Sequence, residues 1–188
     1  MNLFIDTTNT KLILILEKDN MIIDSLFLDN QLRISDILVE EVSLLLNKNK
    51  YKLDEINSFY IINGPGSYTG VRLGVTFSKT IKTINNKVNV FILSSLAYQA
   101  GLNKCISVID AKGGKIYIGV YENANNIIID QIVNTEDLND FAKDLKDFKI
   151  VKDYENIDYL NNYIKLKDKF KLIEDIEQLN PLYIKHFI

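Results

Sequence analysis

Cysteine and histidine each occur once in these 188 residues, at Cys105 and His186, and tryptophan is absent. A single thiol excludes an internal disulfide framework and a multi-cysteine zinc site, and a single imidazole argues against a histidine-based metal centre. A Ser–His–Asp triad would have to be built on His186, two residues from the end of the chain, where chains fray. Arginine occurs only at Arg33 and Arg72, and 22 basic residues face 25 acidic ones for a net charge of −3. There is therefore neither the basic excess nor the basic stripe of a free-standing nucleic-acid binder. No apolar run reaches the roughly 18 residues that a membrane helix needs. The opening Met1 to Asp6 meets an acid at once, unlike a secretory signal or transit peptide. The expectation is a cytoplasmic protein with no membrane partner.

What is present is an ordinary globular composition, 47% hydrophobic and 25% charged, in a chain long enough to bury a core. Short apolar or alternating runs at 3–5, 11–16 and 22–28, separated by polar breaks, predict three strands joined by tight turns. A helical pattern covers 32–48, a strand 57–63, a second helix 71–85 and a fifth strand 88–93. Ser94 is placed to cap a short helix over 94–101. This order predicts an α/β fold with a mixed sheet.

The second half then begins again. Val108-Ile109-Asp110-Ala111-Lys112 and the strand after it lie over Phe4-Ile5-Asp6-Thr7-Thr8 and its following strand. Ile22-Ile23-Asp24 is answered by Ile128-Ile129-Asp130, and a helical stretch over 135–145 falls where the first half has 32–48. Whole elements returning in order predict two related halves, 1–103 and 104–188, the second one shortened. Beyond residue 151 the pattern is polar and only weakly helical. Cys105 precedes a buried strand and reads as a small packed hydrophobe, while Tyr60, Tyr117 and Tyr121 read as strand packing.

The segment Asn63-Gly64-Pro65-Gly66-Ser67-Tyr68-Thr69-Gly70-Val71-Arg72-Leu73-Gly74 is the richest in signal. Glycines and a proline between strand and helix force a sharp turn, and amides at a helix start attract anions. The text is neither a Walker A motif nor a dinucleotide fingerprint. Two readings stay open, a phosphate loop and a structural corner.

The same text closely resembles the Gly-Pro-Gly-Ser-Phe-Thr-Gly-Leu-Arg-Ile-Gly segment of the TsaB family, formerly called YeaZ. Ile5-Asp6-Thr7-Thr8 is similar to the family's opening, Ser94-Ser95-Leu96 to its Ser-Ser-Leu, and Asp110-Ala111-Lys112-Gly113-Gly114-Lys115-Ile116-Tyr117 to its Asp-Ala-Arg segment. Pro181-Leu182-Tyr183-Ile184-Lys185 resembles its Pro-x-Tyr-Leu-Arg ending. Residues 122–180 match poorly, and Ile34-Ser35 stands where the family often has His-Ser.

The resemblance implies an actin-like ATPase fold made of two ribonuclease-H-like halves. It also implies a non-catalytic scaffold in the complex that places N6-threonylcarbamoyladenosine at position 37 of ANN-decoding tRNAs. There the family pairs with the catalytic subunit TsaD, is joined by the ATPase TsaE, and meets tRNA through the complex. No cofactor is expected on this chain alone, with ATP at the complex interface left open. Fold relatives hold Mg-ATP with acids at the first strand of each half. Asp6, Gly64, Gly66, Ser67, Gly70 and Asp110 are therefore the weak nucleotide candidates, and Asp6 and Asp110 read first as turn residues satisfying backbone donors. The rival functions are a stand-alone actin-fold ATPase or kinase and a self-sufficient homodimeric binding module.

The helices point to a partner. Over 32–47 the polar residues Arg33, Asp36, Glu40, Ser43 and Asn47 fall on one narrow stripe, leaving about 240° of largely apolar surface, more than one sheet needs. In the second helix Gly74 and Ser78 leave a shallow stripe flanked by Val71 and Val75. The expected interface is Ile34, Leu38, Val42 and Leu45 with Val71, Gly74, Val75 and Ser78, on the helices the family uses for a bundle with TsaD or a second copy. Replacing Leu45 by Glu, or Gly74 by a bulky residue, is expected to weaken pairing more than folding.

Overall fold

Alternating apolar side chains turn the first 28 residues into three consecutive strands, β1 (Asn2–Asp6), β2 (Leu12–Lys18) and β3 (Met21–Leu28). They pair antiparallel, and the two-residue connection Asp19-Asn20 takes φ of 51° and 63°. Both residues lie in the left-handed region that a tight hairpin requires and that Asp and Asn tolerate. The structure is a computed structural model that describes residues 1–29 and 33–184.

Helix α1 (Ile34–Lys48) leads to β4 (Ser58–Ile62), and α2 (Tyr68–Ile84) leads to β5 (Asn89–Leu93). β4 lies parallel to β1 and β5 parallel to β4, so each helix is a crossover between strands of one sheet. Leu3 and Ile5 of β1, Leu12, Leu14 and Leu16 of β2, and Phe59 and Ile61 of β4 point to one face. There they form a single core with Leu38, Val42 and Leu45 of α1 and Val75 of α2. Both helices therefore cover the same face of this sheet. On the other face Phe4 and Tyr60 meet the edge of the Phe170 ring. With both faces covered, β2 is buried at six successive positions, from Leu12 to Glu17.

A second unit repeats the plan. After α3 (Ser95–Ala100) come β6 (Cys105–Lys112), β7 (Lys115–Glu122) and β8 (Asn125–Asn134), again antiparallel neighbours. A short α4 (Leu138–Ala142) then leads to β9 (Lys149–Lys152), parallel to β6. The sheet order β8-β7-β6-β9 copies β3-β2-β1-β4 of the first unit, element by element. The side chain of the fully buried Gln99 in α3 ties this unit together. Its Nε2 donates to Ser107 Oγ and to the carbonyls of Val108 and Val151, and its Oε1 accepts the Tyr154 amide.

The copy stops after α5 (Tyr159–Leu166). The next strand, β10 (Lys171–Ile173), runs antiparallel beside β5 and completes the first, six-stranded sheet. Contacts accordingly group Met1–Asn63, Ser67–Leu93 and Phe170–Pro181 as one unit, and Gly64–Gly66 with Ser94–Lys169 as the other. Compared with a division at 103/104, the boundary falls just before α3, because Gln99 binds α3 to β6 and β9. The stretch at 170–181 returns to the first unit.

Two helix limits differ from the sequence pattern. α2 begins at Tyr68, not 71, because Ser67 Oγ accepts the Gly70 amide at 3.0 Å and caps the helix. The helix expected over 135–145 shrinks to a 3-10 turn and five α-helical residues, with Leu138 its buried anchor. Leu32, Lys185 and His186 lie outside the described residues. Among the described residues no helix is long and apolar enough to cross a membrane.

Candidate functional site

The glycine-rich corner is held by β1. Thr7 Oγ1 donates to the Gly70 carbonyl at 2.7 Å, and the Ser67 amide donates to the Thr8 carbonyl at 2.8 Å. A β-carbon built on Gly70 would lie 1.9 Å from the Thr7 carbonyl oxygen, so any larger residue collides with backbone. Gly70 is thus a glycine of close approach, and its amide is occupied by the Ser67 cap. In the second unit the Gly64 carbonyl accepts the Ser95 amide at 2.8 Å, and the Ser95 hydroxyl donates to the Pro65 carbonyl. These contacts hold the segment as a sharp strand-to-helix corner.

The two repeat-related aspartates do the same local work. Asp6 Oδ1 accepts the amide of Thr8 at 2.8 Å and its hydroxyl at 2.7 Å. Asp110 Oδ1 accepts the amide of Lys112 at 2.8 Å. Each carboxylate closes the turn leaving its strand, two residues on, which is the turn chemistry available to Asp. Their surroundings differ. Asp6 is 1% exposed, whereas Asp110 is open to solvent and its Oδ2 sits 2.6 Å from Lys112 Nζ. That contact with Lys112 holds the Asp110 carboxyl below the ordinary carboxylate value.

The helix faces reverse the expected interface. Ile34, Leu38, Val42 and Leu45 are 7%, 0%, 3% and 5% exposed and belong to the core under α1. Val71 and Val75 are buried as well. A β-carbon on Gly74 would meet Thr7 Oγ1 at 3.1 Å and Ile61 at 3.5 Å, so this stripe faces the sheet. Ser78, also buried, donates to the carbonyls of Gly74 and Val75 in its own helix. All eight positions are inward, because the sheet takes the richest apolar stripe of each helix. The apolar excess of α1 that faces out is Val39, 62% exposed, and Leu44, 54% exposed. On α2 the outward side chains include Tyr68 and Arg72, with the guanidinium 4.5 Å from the ring centroid.

Known proteins share this fold. Residues 32–170 match the family described as TsaD, tRNA N6-adenosine threonylcarbamoyltransferase. The chain belongs to this TsaD domain family, in its TsaB (YeaZ) branch. It is 30% identical over 158 residues to the uncharacterized protein MG208 homolog of Mycoplasma pneumoniae, covering 83% of this chain and 80% of that protein. It is 29% identical over 136 residues to the tRNA threonylcarbamoyladenosine biosynthesis protein TsaB of Bacillus subtilis, covering 70% of this chain and 58% of that protein. The solved structure of YeaZ from Pseudomonas aeruginosa superposes with a TM-score of 0.71 at 16% identity, over 97% of this chain and 98% of that one. At that identity the likeness speaks for the fold, which is the actin-like, ribonuclease-H-like pair of halves.

One cluster of this TsaB-family chain is missing from the motif reading. Asp130 of β8 accepts Ser94 Oγ at 2.8 Å and Asn126 Nδ2 at 2.9 Å, and it also accepts the Tyr121 hydroxyl. A β-carbon on Gly119 would lie 2.3 Å from Asp130 Oδ1, so the glycine in β7 makes the space the carboxylate fills. Burial raises the Asp130 carboxyl above its ordinary value, and burial beside that carboxylate pushes the Tyr121 hydroxyl up too. Ser94 also caps α3 through the Ala97 amide, which links the start of that helix to the β7–β8 pair. The repeat pairs Asp130 with Asp24, which instead meets Lys48 Nζ at 2.8 Å and Asn49 Nδ2 at 2.8 Å. The alignment of the two halves could have flagged the position, but not its opposite environments.

Proposed function

We propose that this chain serves in the biosynthesis of N6-threonylcarbamoyladenosine in tRNA, as a non-catalytic scaffold that pairs with a TsaD-type catalytic subunit. What carries the scaffold reading is the outer surface of the helix pair. Val39 and Leu44 stand out on α1 and the Tyr68–Arg72 pair on α2, after the sheet has already taken a full apolar stripe from each helix. Exposed aliphatic, tyrosine and arginine side chains are the currency of protein–protein contact.

The relation to the Bacillus protein, named for threonylcarbamoyladenosine biosynthesis, supplies the pathway. Asp6 and Asp110 favour the scaffold over a stand-alone ATPase, since each carboxylate is engaged with its own turn. In this reading a TsaE-type ATPase joins the pair, ATP is handled by the complex, and tRNA is met through the partner. Reconstitution tests it: the host's TsaD-, TsaE- and TsaC-type proteins with tRNA, threonine, bicarbonate and ATP, with and without this chain. Modified tRNA only in its presence establishes the role, and equal yield in its absence rejects it.

A further inference from the structure

Among the edge strands of the two sheets, β9 is an edge only because the repeat is incomplete. In the first sheet β4 has β5 lying parallel on the side away from β1. Its counterpart β9 has β6 on one side and no strand on the other, because the chain beyond α5 supplies β10 to the first sheet instead. The edge at β8 is different, since its counterpart β3 is an edge too. β8 also shifts register twice against β7, which blunts an edge. β9 pairs with β6 in unbroken register. The amides of Lys149 and Asp153 donate to the carbonyls of Lys104 and Val108. Alternate residues therefore turn to β6, and Ile150 and Lys152 present their amides outward. Neither outward amide has a hydrogen-bond partner among the described residues. A cavity of about 540 Å³ runs along this edge, lined by all of β9, by Asn103 and by the start of α5.

We infer that this edge receives an extended segment of a partner protein, which adds to β9 as β5 adds to β4 and brings acidic side chains to Lys149 and Lys152. The repeat sets the form of the occupant, a strand held by main-chain hydrogen bonds to Ile150 and Lys152. Charge sets its side chains. Lys149 and Lys152 are exposed, and neither has an ion-pair partner among the described residues. The acids of the lining, Glu155 and Asp158, come after the strand has ended, and Asp158 is engaged in capping α5 through the Asn161 amide at 3.0 Å. Lysines on an edge repel a second copy of the same strand and favour an acidic one. An acid opposite each lysine leaves two β-forming residues beside Ile150, which is 42% exposed, and Val151. The edge belongs to the second unit and involves neither α1 nor α2, so the inference does not rest on the scaffold reading.

The test is amide-resolved NMR of the full nitrogen-15-labelled chain, titrated with the capped peptide Ser-Glu-Val-Val-Glu-Ser and with its charge-reversed form Ser-Lys-Val-Val-Lys-Ser. The acidic peptide is expected to shift the Ile150 and Lys152 amides and to slow their hydrogen exchange about tenfold at saturation. Val151, whose amide turns to β6, is expected to stay protected throughout. The charge-reversed peptide is expected to bind about tenfold more weakly. Ile150→Pro removes an outward amide and leaves the ladder to β6 intact, so it should abolish binding in a chain that melts like the parent. If that variant fails to fold, the double variant Lys149→Glu, Lys152→Glu decides, and it should exchange the preference for the two peptides. Equal binding of both peptides, shifts confined to other elements, or no shift at millimolar peptide each overturn the proposal. So does protection of the Ile150 and Lys152 amides in the peptide-free chain, which would mean a second copy if it grows with protein concentration and a covering by the chain itself if it does not.

Discussion

Gly70 lies so close to Thr7 that a β-carbon on it would stand 1.9 Å from the Thr7 carbonyl oxygen. The corner between β4 and α2 is therefore set by the approach of two backbones, with the Thr7 hydroxyl on the Gly70 carbonyl as its fastener. Gly70→Ala is expected to lower stability by about 3 kcal/mol, although alanine is the better helix former by about 1 kcal/mol. Thr7→Val, which keeps the shape and removes the hydrogen bond, should cost about 1–2 kcal/mol. Urea unfolding of both variants checks the ranking, and an unchanged midpoint for Gly70→Ala would contradict the close approach.

Neighbouring residues of α1 should behave in opposite ways. Leu38 is fully buried, so Leu38→Ala is expected to cost about 2–5 kcal/mol in folding. Leu45→Glu belongs with it, because burying an unpaired carboxylate destabilises the chain before any partner is involved. Val39→Glu should leave stability within about 0.5 kcal/mol and act on partner binding alone. Thermal melts alongside pull-down of the TsaD-type subunit separate the two classes.

The paired aspartates of the third strands should titrate in opposite directions. Lys48 and Asn49 hold the Asp24 carboxyl below its ordinary value of 3.8. Its contribution to stability is therefore present above that value and lost as pH falls through the depressed one. Burial raises Asp130 above 3.8, so its contribution is complete below 3.8 and lost as pH rises through the raised value. Carbon-detected titration of both carboxyls checks the order directly. Urea midpoints between about pH 3 and 7 should show Asp24→Asn flattening the acid side and Asp130→Asn removing the decline toward neutral pH.

The lone thiol should be silent in the folded chain. Cys105 is fully buried in β6, and burial pushes its thiol up to about 11. The thiolate is the reactive form, so Ellman's reagent at pH 8 is expected to leave native Cys105 unmodified and to label it after denaturation. Fast labelling of the native chain would mean that β6 opens far more readily than its burial implies.

Local pattern was enough for much of this molecule. Alternation marks β1, β2 and β3, the return of Asp6 as Asp110 and of Asp24 as Asp130 marks the duplication, and Ser94 marks the start of α3. These are signals written within a few residues, where side-chain period and turn chemistry act directly. The Gly-Pro-Gly-Ser-Tyr-Thr-Gly text marks the corner, but its close approach to Thr7 joins residues 63 positions apart and has no local trace.

The tertiary structure decided which apolar residues remain outside. From sequence, Leu38 and Val39 are adjacent hydrophobic letters in one helical run. The sheet covers only the arc of α1 that carries Ile34, Leu38, Val42 and Leu45, so the residues placed at the expected interface are core and Val39 and Leu44 face out. It also decided where the shortened half ends, because β10 pairs with β5 rather than β9, a choice of edge that a three-residue strand does not announce. The opposite environments of Asp24 and Asp130 arise in the same way, one meeting a lysine and the other a tyrosine over a glycine gap. Periodicity states that a face is apolar, and only the packing of one element on another states what that face meets.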